Sequence, residues 1–261
     1  MNSTRLPNKA LLKIGDKPML YHVVKQTQAA KYVNEVIIAT TTSPKDQRIV
    51  EFCKKYNLKF FRGSNSNVLD RYYKCAKEHL CDPVVRISSD CPFIDPDVID
   101  QVILKFLKNS YDYVSNNFKK IHNKWENSTC GYPQGMVVEI CNFKTLKKTW
   151  NQARKPSEKE HVFPYVQFTP KLFKKTNIVH KKDLSHIRCT VDKKNDLEFV
   201  RKVLRKIPKS KKIIHIDDIV KIIQNEPDLV IINNKTSFDE GYKKSIIKDT
   251  KFVAKKKDVS K

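Results

Sequence analysis

Short apolar runs and amphipathic segments alternate along most of this chain, and the alternation constrains its fold. An apolar run of four to eight residues is typical of a buried strand, whereas apolar residues three and four apart are typical of a helix. We predict strands at residues 35–40, 58–61, 83–88, 111–115, 136–141 and 187–191. We predict helices at residues 18–31, 44–56, 67–80, 96–109, 142–153, 156–168 and 194–206, with Asp95 capping the fourth. This pattern indicates an α/β fold with a mainly parallel sheet flanked by helices on both faces.

The domain organisation follows from where the alternation stops. The sequence becomes polar and irregular between residues 117 and 135. We interpret residues 117–175 as an excursion that forms a lid or a dimer contact within a single domain over residues 1–250. Residues 251–261 are rich in lysine, and we predict a disordered basic tail there.

Composition excludes several classes of protein. The chain has 261 residues and 39% hydrophobic content, enough for one large core. No apolar run approaches the roughly 18 residues of a membrane span, and we expect no leader, because no charged-then-apolar segment precedes a cleavage site. The seven cysteines show no C-x-x-C spacing, which disfavours a disulfide framework or a zinc site. We therefore expect a cytoplasmic protein without a membrane partner.

The formal net charge of +24 raises the question of a polyanionic partner. Only nine of the 52 basic residues are arginines, and arginine is the better bidentate ligand of bases and phosphates. The lysines are spread along predicted helix faces. We therefore disfavour nucleic acid as a partner and keep polyanion binding through lysine as an alternative.

Residues 3–9 concentrate groups that bind phosphates. Ser3 and Thr4 supply hydroxyl groups, and Arg5 and Lys9 supply two cations that would neutralise a triphosphate and stabilise departing pyrophosphate. An ordinary solvated basic N-terminus is the alternative. Such a loop normally follows a β-strand, and because Met1 falls inside it we expect the first strand of the fold to be missing. The five glycines build neither G-x-G-x-x-G nor G-x-x-x-x-G-K-[ST], so a nucleotide would be held in another way.

Two aspartates follow predicted strands. Asp90 follows the strand at 83–88, and Asp192 follows the strand at 187–191. Carboxylates at the carboxyl ends of parallel strands face the crevice where such sheets bind ligands, and together they are suited to Mg²⁺ on a phosphoryl group. For Asp90 the alternative is a turn residue bonded to its own backbone, and for Asp192 it is a helix cap.

Two further segments carry polar groups on predicted helices. Asp70 and Arg71 would contact a ribose or a base edge, with a surface ion pair as the alternative. Glu160 and His161 would bind a sugar or transfer a proton, although a lone histidine on a helix is more often structural.

The segments at residues 3–9, 15–19, 61–64, 68–73, 90–96, 160–165 and 183–192 carry a resemblance in their order and spacing. Together they resemble the cytidylyltransferases of the spore coat polysaccharide type, which are related to acylneuraminate and 3-deoxy-manno-octulosonate cytidylyltransferases. The resemblance implies a Rossmann-like nucleotide-diphospho-sugar transferase fold and a homodimer. It also implies that Arg5 and Lys9 lie on the triphosphate, and that Asp90 and Asp192 hold Mg²⁺.

We accordingly predict transfer of CMP from CTP to an acidic, nonulosonic-acid-like sugar, with release of pyrophosphate, for surface glycan synthesis. The predicted catalytic residues are Arg5, Lys9 and Asp90. The predicted nucleotide-binding residues are Ser3, Thr4, Arg5, Lys9, Asp70, Arg71 and Arg86, and the predicted acceptor-binding residues are Glu139, Glu160 and His161. The alternatives are another base, a sugar-phosphate acceptor, or an N-terminally truncated inactive form.

Overall fold

The computed structural model describes residues 6–121, 124–169 and 171–259. Its helices are α1 (Met19–Gln28), α2 (Gln47–Lys55), α3 (Val68–Glu78), α4 (Pro96–Leu107), α5 (Phe143–Gln152), α6 (Pro156–His161), α7 (Pro164–Phe168), α8 (Lys194–Lys206), α9 (Ile216–Asn225) and α10 (Glu240–Val259). Its strands are β1 (Lys13–Ile14), β2 (Lys17–Pro18), β3 (Ile37–Thr41), β4 (Lys59–Gly63), β5 (Val84–Arg86), β6 (Tyr113–Ser115), β7 (Phe118–Ile121), β8 (Lys124–Asn127), β9 (Glu139–Cys141) and β10 (Lys175–Asn177). Within these ranges, no helix combines the length and the apolar character needed to cross a membrane.

The central sheet has four strands in the order β10-β6-β9-β5. Strand β10 is parallel to β6, while β5 and β6 are both antiparallel to β9 and so run in the same direction as each other. Strands β3 and β4 form a separate parallel pair. The predicted mainly parallel α/β architecture is confirmed, with β9 as the reversed strand.

One predicted helix start is confirmed, and one predicted helix is divided in two. The Asp95 side chain accepts a hydrogen bond from the backbone N of Asp97 (2.8 Å), and Pro96 opens α4, as predicted. The helix predicted over 156–168 is instead divided into α6 and α7 at Val162, which has a φ of 74°. The break has a local cause, because Pro164 provides no backbone N–H and disfavours a helical conformation for the residue before it.

The largest core cluster lies where α4, α8 and β9 meet. Ile99, Ile140, Phe199 and Val203 are among its fully buried members. A second cluster joins Tyr113 and Phe163 to Phe118, which lies in the segment predicted to be irregular, residues 117–135. Residues 117–135 thus include the hairpin β7–β8, which packs through Phe118.

Two further segments differ from the structure predicted for them. Residues 187–191 do not form a strand. Their strand-like pairing with the described residues consists of one parallel bridge between Gln134 and Arg188, with hydrogen bonds such as Cys189 N to Gln134 O (2.8 Å), and of a hydrogen bond from Val191 N to Asp90 O (2.9 Å). Residues 251–259, predicted as a tail, continue α10, whose contacts with Ser157 and His161 of α6 come from the preceding residues Asp249 and Ser245. Residues 260 and 261 lie outside the described part.

Candidate active site

Lys9 lies between the two aspartates that the sequence places after strands. Its Nζ is 2.6 Å from Oδ2 of Asp90, 3.0 Å from Oδ1 of Asp192 and 3.2 Å from the carbonyl oxygen of Val191. Lys9 opens a short 3-10 turn after Asn8, which has a left-handed conformation with a φ of 57°. The three predicted site residues, distant in sequence, are therefore in direct contact.

The charges of this cluster stabilise one another. Burial alone would lower the pKa of Lys9, but Asp90 and Asp192 raise it above its usual value. Burial alone would likewise raise the pKa of Asp90, but the charge and hydrogen bond of Lys9 hold it well below its usual value. Both groups are therefore charged at neutral pH.

Asp192 does not cap the following helix. The residue before α8 is Lys193, and Asp196 accepts hydrogen bonds from the backbone N atoms of both Asp192 (2.9 Å) and Lys193 (2.8 Å). Arg188 donates to Asp192 Oδ2 from Nη2 (3.0 Å) and to Asp196 Oδ1 from Nε (2.9 Å). The Asp192 carboxylate is thus held between Arg188 and Lys9, which removes the cap alternative.

Sequence reasoning missed Arg188 and Asp196 as supports of the site. Asp196 lies in the first turn of α8, where an acidic residue is a local signal of a helix start, whereas Arg188 precedes the helix and has no such signal. Gln134 also binds Arg188, through Oε1 and Nη1 (2.9 Å). No sequence signal identifies Gln134, because its partner lies far along the chain.

Gly135 permits the close approach of these two segments. Its φ is +95°, and a Cβ at this position would lie 2.6 Å from the backbone N of Thr190. Thr190 is two residues before Asp192. A glycine is therefore needed here for the segment that carries Asp192 to lie against the chain leading into β9.

Arg86 and Glu139 form a buried ion pair at the neighbouring ends of β5 and β9. Glu139 Oε1 also accepts hydrogen bonds from Tyr113 Oη (2.8 Å), Asn117 Nδ2 (3.3 Å) and Gln167 Nε2 (3.3 Å). Burial opposes the charge of Arg86, but Glu139 raises the pKa of its guanidinium above the usual value. Arg86 and Glu139 were predicted as binding residues from the sequence, whereas the three neutral residues that donate hydrogen bonds to Glu139 were not.

Two buried guanidinium nitrogens lack a partner among the described residues. They are the Nε atoms of Arg71 and Arg86. Arg71 donates from Nη1 to the carbonyl oxygen of Ser64 (2.5 Å), and the Arg86 guanidinium lies 5.7 Å from the centroid of the Tyr72 ring. Unpartnered buried donors of this kind are rare in folded proteins.

Asp70 contacts α5 and its own helix. Its Oδ1 accepts a hydrogen bond from Trp150 Nε1 (2.9 Å), and its Oδ2 pairs with Lys74 (3.0 Å) one helical turn further on. The structure therefore supports the ion pair that the sequence left open for Asp70. Its nucleotide contact stays a prediction without a geometric basis.

Glu160 and His161 contact the C-terminal helix. His161 Nε2 is 3.0 Å from Ser245 Oγ, and Glu160 Oε2 accepts from Ser245 Oγ (2.9 Å) and Lys248 Nζ (3.1 Å).

Three predicted nucleotide-binding residues, Ser3, Thr4 and Arg5, lie outside the described residues.

Comparison with known proteins identifies the family. The model of the cytidylyltransferase family matches residues 1–237. The chain belongs to this family. It is therefore a nucleotidyltransferase, and the predicted resemblance is confirmed.

This cytidylyltransferase is similar to several proteins over about half to nine-tenths of its length. The spore coat polysaccharide biosynthesis protein SpsF of Bacillus subtilis is 26% identical over 235 residues, which cover 87% of this chain and 92% of that protein. A 3-deoxy-manno-octulosonate cytidylyltransferase of Geotalea daltonii is 33% identical over 140 residues, covering 48% and 54%. The structure of a cytidylyltransferase from Leptospira borgpetersenii superposes with a TM-score of 0.81 at 30% identity, covering 91% of this chain and 95% of the other.

The donor set of the cytidylyltransferase fits a divalent cation. The carboxylates of Asp90 and Asp192 already share one cationic group, the ammonium of Lys9. One or two carboxylates with phosphate oxygens and water form the usual Mg²⁺ site in nucleotide enzymes. A second cluster, formed by Asp95, Asp97 and His215, is explained by the fold, because Asp95 caps α4 and accepts from Ile216 N (2.7 Å).

Proposed function

We propose that this cytidylyltransferase transfers CMP from CTP to an acidic sugar and releases pyrophosphate, in the synthesis of a surface polysaccharide or glycan. The observation that carries the proposal is the contact of Lys9 with both Asp90 and Asp192. A cation and two carboxylates from distant segments are the groups that such a transfer needs.

The acceptor hydroxyl oxygen forms a bond to the α-phosphorus of CTP, the bond from that phosphorus to pyrophosphate breaks, and the hydroxyl proton is released to water. Asp90 and Asp192 would hold Mg²⁺, which neutralises phosphate charge when bound. Lys9 exchanges its carboxylate partners for phosphate oxygens and stabilises the charge that develops on pyrophosphate. The sequence assigns Arg5 the same role. Arg188 and Asp196 keep the Asp192 carboxylate oriented, so most of the rate comes from positioning and charge neutralisation.

An acidic acceptor is supported by the positive charges of Arg71 and Arg86. Burial and, in part, the charge of Arg86 lower the pKa of Arg71, so the two guanidinium groups repel each other, and a carboxylate or phosphate would offset that repulsion. Glu139 neutralises one of these two charges, so the pair retains a net positive charge. The homodimer implied by the resemblance stays a prediction.

The test is pyrophosphate release with CTP, Mg²⁺ and a panel of acidic sugars and sugar phosphates. We expect release to require all three components and to fall by a factor of about 100 or more in Asp90→Ala. Asp16→Ala is the matched control, because Asp16 is exposed and pairs with Lys17 (3.7 Å). Unaltered turnover in Asp90→Ala would refute the proposal, and a thermal-shift comparison of CTP, UTP, ATP and GTP would show a preference for another base.

A further inference from the structure

Helix α10 begins beyond the part of the chain that matches the family. The match covers residues 1–237, and α10 starts at Glu240. Its first turn is tied to the start of α8 by an ion pair between Lys193 and Glu240 (2.9 Å). Near its middle, the two carboxylate oxygens of Asp249 accept hydrogen bonds from the backbone N (2.9 Å) and Oγ (2.5 Å) of Ser157. The helix therefore extends from the residue after the predicted metal ligand to α6.

Ser245 is the fully buried contact of α10 with the predicted acceptor residues. Its Oγ is 3.0 Å from His161 Nε2, 2.9 Å from Glu160 Oε2 and 3.3 Å from the carbonyl oxygen of Gly241. A hydroxyl donates one proton, whereas a carboxylate and a carbonyl oxygen only accept. The Ser245 proton therefore points to Glu160 or Gly241, with the shorter, charge-assisted bond to Glu160 preferred. Ser245 Oγ must then accept from His161, so Nε2 carries the ring proton.

The surroundings of His161 keep its imidazole neutral. Burial lowers the pKa of His161 to about 4, and the positive charge of Arg86 contributes. The ring also packs edge-on against Tyr242 of α10, with 5.3 Å between centroids. In a neutral imidazole with a protonated Nε2, Nδ1 has the lone pair.

We propose that Ser245 is a positioning residue for the acceptor sugar: it holds the His161 imidazole so that Nδ1 accepts a hydrogen bond from an acceptor hydroxyl group. The inference rests on the proposed function and names the class of group that His161 recognises. It also gives α10 a part in acceptor recognition, through a residue outside the family match.

Kinetics of Ser245→Ala test this role. The variant removes the hydroxyl but keeps the other α10 contacts. Thr250→Ala is the matched control, because Thr250 is exposed and its Oγ1 donates to Ile246 O of its own helix (3.3 Å). For the acidic sugar with the highest rate in the panel, we expect the acceptor KM to rise about tenfold in Ser245→Ala. The KM for CTP should change by less than about twofold in Ser245→Ala. In Thr250→Ala, the acceptor KM and the KM for CTP should both change by less than about twofold. An unchanged acceptor KM in Ser245→Ala would overturn the proposal.

An NMR measurement makes the test independent of turnover. The ¹⁵N shifts of the His161 imidazole in the full chain at pH 7 report which nitrogen carries the proton. We expect the proton on Nε2 in the wild type and a mixture of tautomers in Ser245→Ala. A proton on Nδ1 in the wild type would overturn the inference. A wild type that transfers nothing from CTP would overturn the proposed function instead, and the spectrum would still decide whether Ser245 orients His161.

Discussion

Lys9 is the residue whose loss most directly perturbs the electrostatics of the site. Without it, the carboxylates of Asp90 and Asp192 would lie near each other without their shared cation. A partly buried carboxylate that loses its partner is destabilised, because solvation does not replace the lost interaction. The same contact explains the lowered pKa of Asp90, so stability and protonation are linked.

Lys9→Met should lower the free energy of unfolding by roughly 2 kcal/mol at pH 7. The pKa of Asp90 is lower in the folded chain than in the unfolded one. Its contribution is therefore complete above the unfolded pKa of about 4, and it is lost as the pH falls through the folded value. Urea unfolding at pH 7 and pH 3 should show the difference between wild type and variant shrinking at the lower pH. An equal difference at both pH values would contradict this origin of the pKa shift.

Asp70→Asn separates a packing carboxylate from a catalytic one. Asp70 binds Trp150 and Lys74, so we expect a loss of stability of about 1 kcal/mol from the weakened contact between α3 and α5. The KM for CTP should stay within about twofold of the wild type. Thermal unfolding measures the loss of stability, and steady-state kinetics measure the KM for CTP. A large rise in that KM would support the nucleotide contact of Asp70 that the sequence predicts.

At the scale of elements, the site depends on segments that are neither helix nor strand. Asp90 follows β5 and Asp192 precedes α8, but the segment 187–191 is held by a single bridge and by hydrogen bonds to Gln134 and Asp90. Gly135 lets this segment approach the chain before β9. The geometry of the candidate metal ligands is therefore sensitive to one backbone contact.

Gly135→Ala should disturb that contact. The added Cβ would lie 2.6 Å from Thr190 N, and alanine disfavours the φ of +95°. We expect a loss of about 1–3 kcal/mol in stability and a larger loss in Mg²⁺-dependent turnover, because Asp192 follows the displaced segment. Gly241→Ala is the control, since a Cβ there meets no atom within 4 Å. Equal activity of the two variants would show that the approach is not needed.

Much of this element pattern could be predicted from the sequence. The helix over 194–206 and the Asp95 cap follow from local periodicity and capping, and the structure has them at the predicted residues. Predicting the break at Val162 would have required giving Pro164 more weight than the helical pattern around it. The pairing of Gln134 with Arg188 depends on tertiary contacts, so a local pattern does not reveal it. The contact of His161 with Ser245 was missed for the same reason.

At the scale of the whole molecule, charge is dispersed. The net charge is +24, but most of the basic residues are lysines, and several form ion pairs along helices, such as Lys202 with Glu198 (3.0 Å). A dispersed lysine surface attracts polyanions weakly and through screened interactions. The field would still attract an anionic substrate to the protein surface, although dispersed lysines do not form a nucleic-acid site.

RNA binding should therefore be weak at physiological salt. We expect a dissociation constant above about 1 μM for a single-stranded RNA oligomer at 150 mM salt, with affinity falling steeply as salt rises. Fluorescence anisotropy across a salt series measures this. Tight binding that persists at high salt would favour the alternative of a dedicated polyanion site.

The central claim is that Lys9, Asp90 and Asp192 form one site for the triphosphate of CTP and its magnesium ion. A crystal structure with CTP and Mg²⁺ tests it most directly. We expect oxygen atoms of Asp90 and Asp192 about 2.1 Å from the metal, and Lys9 Nζ on a phosphate oxygen. A nucleotide bound elsewhere, or a metal that touches neither carboxylate, would contradict the account.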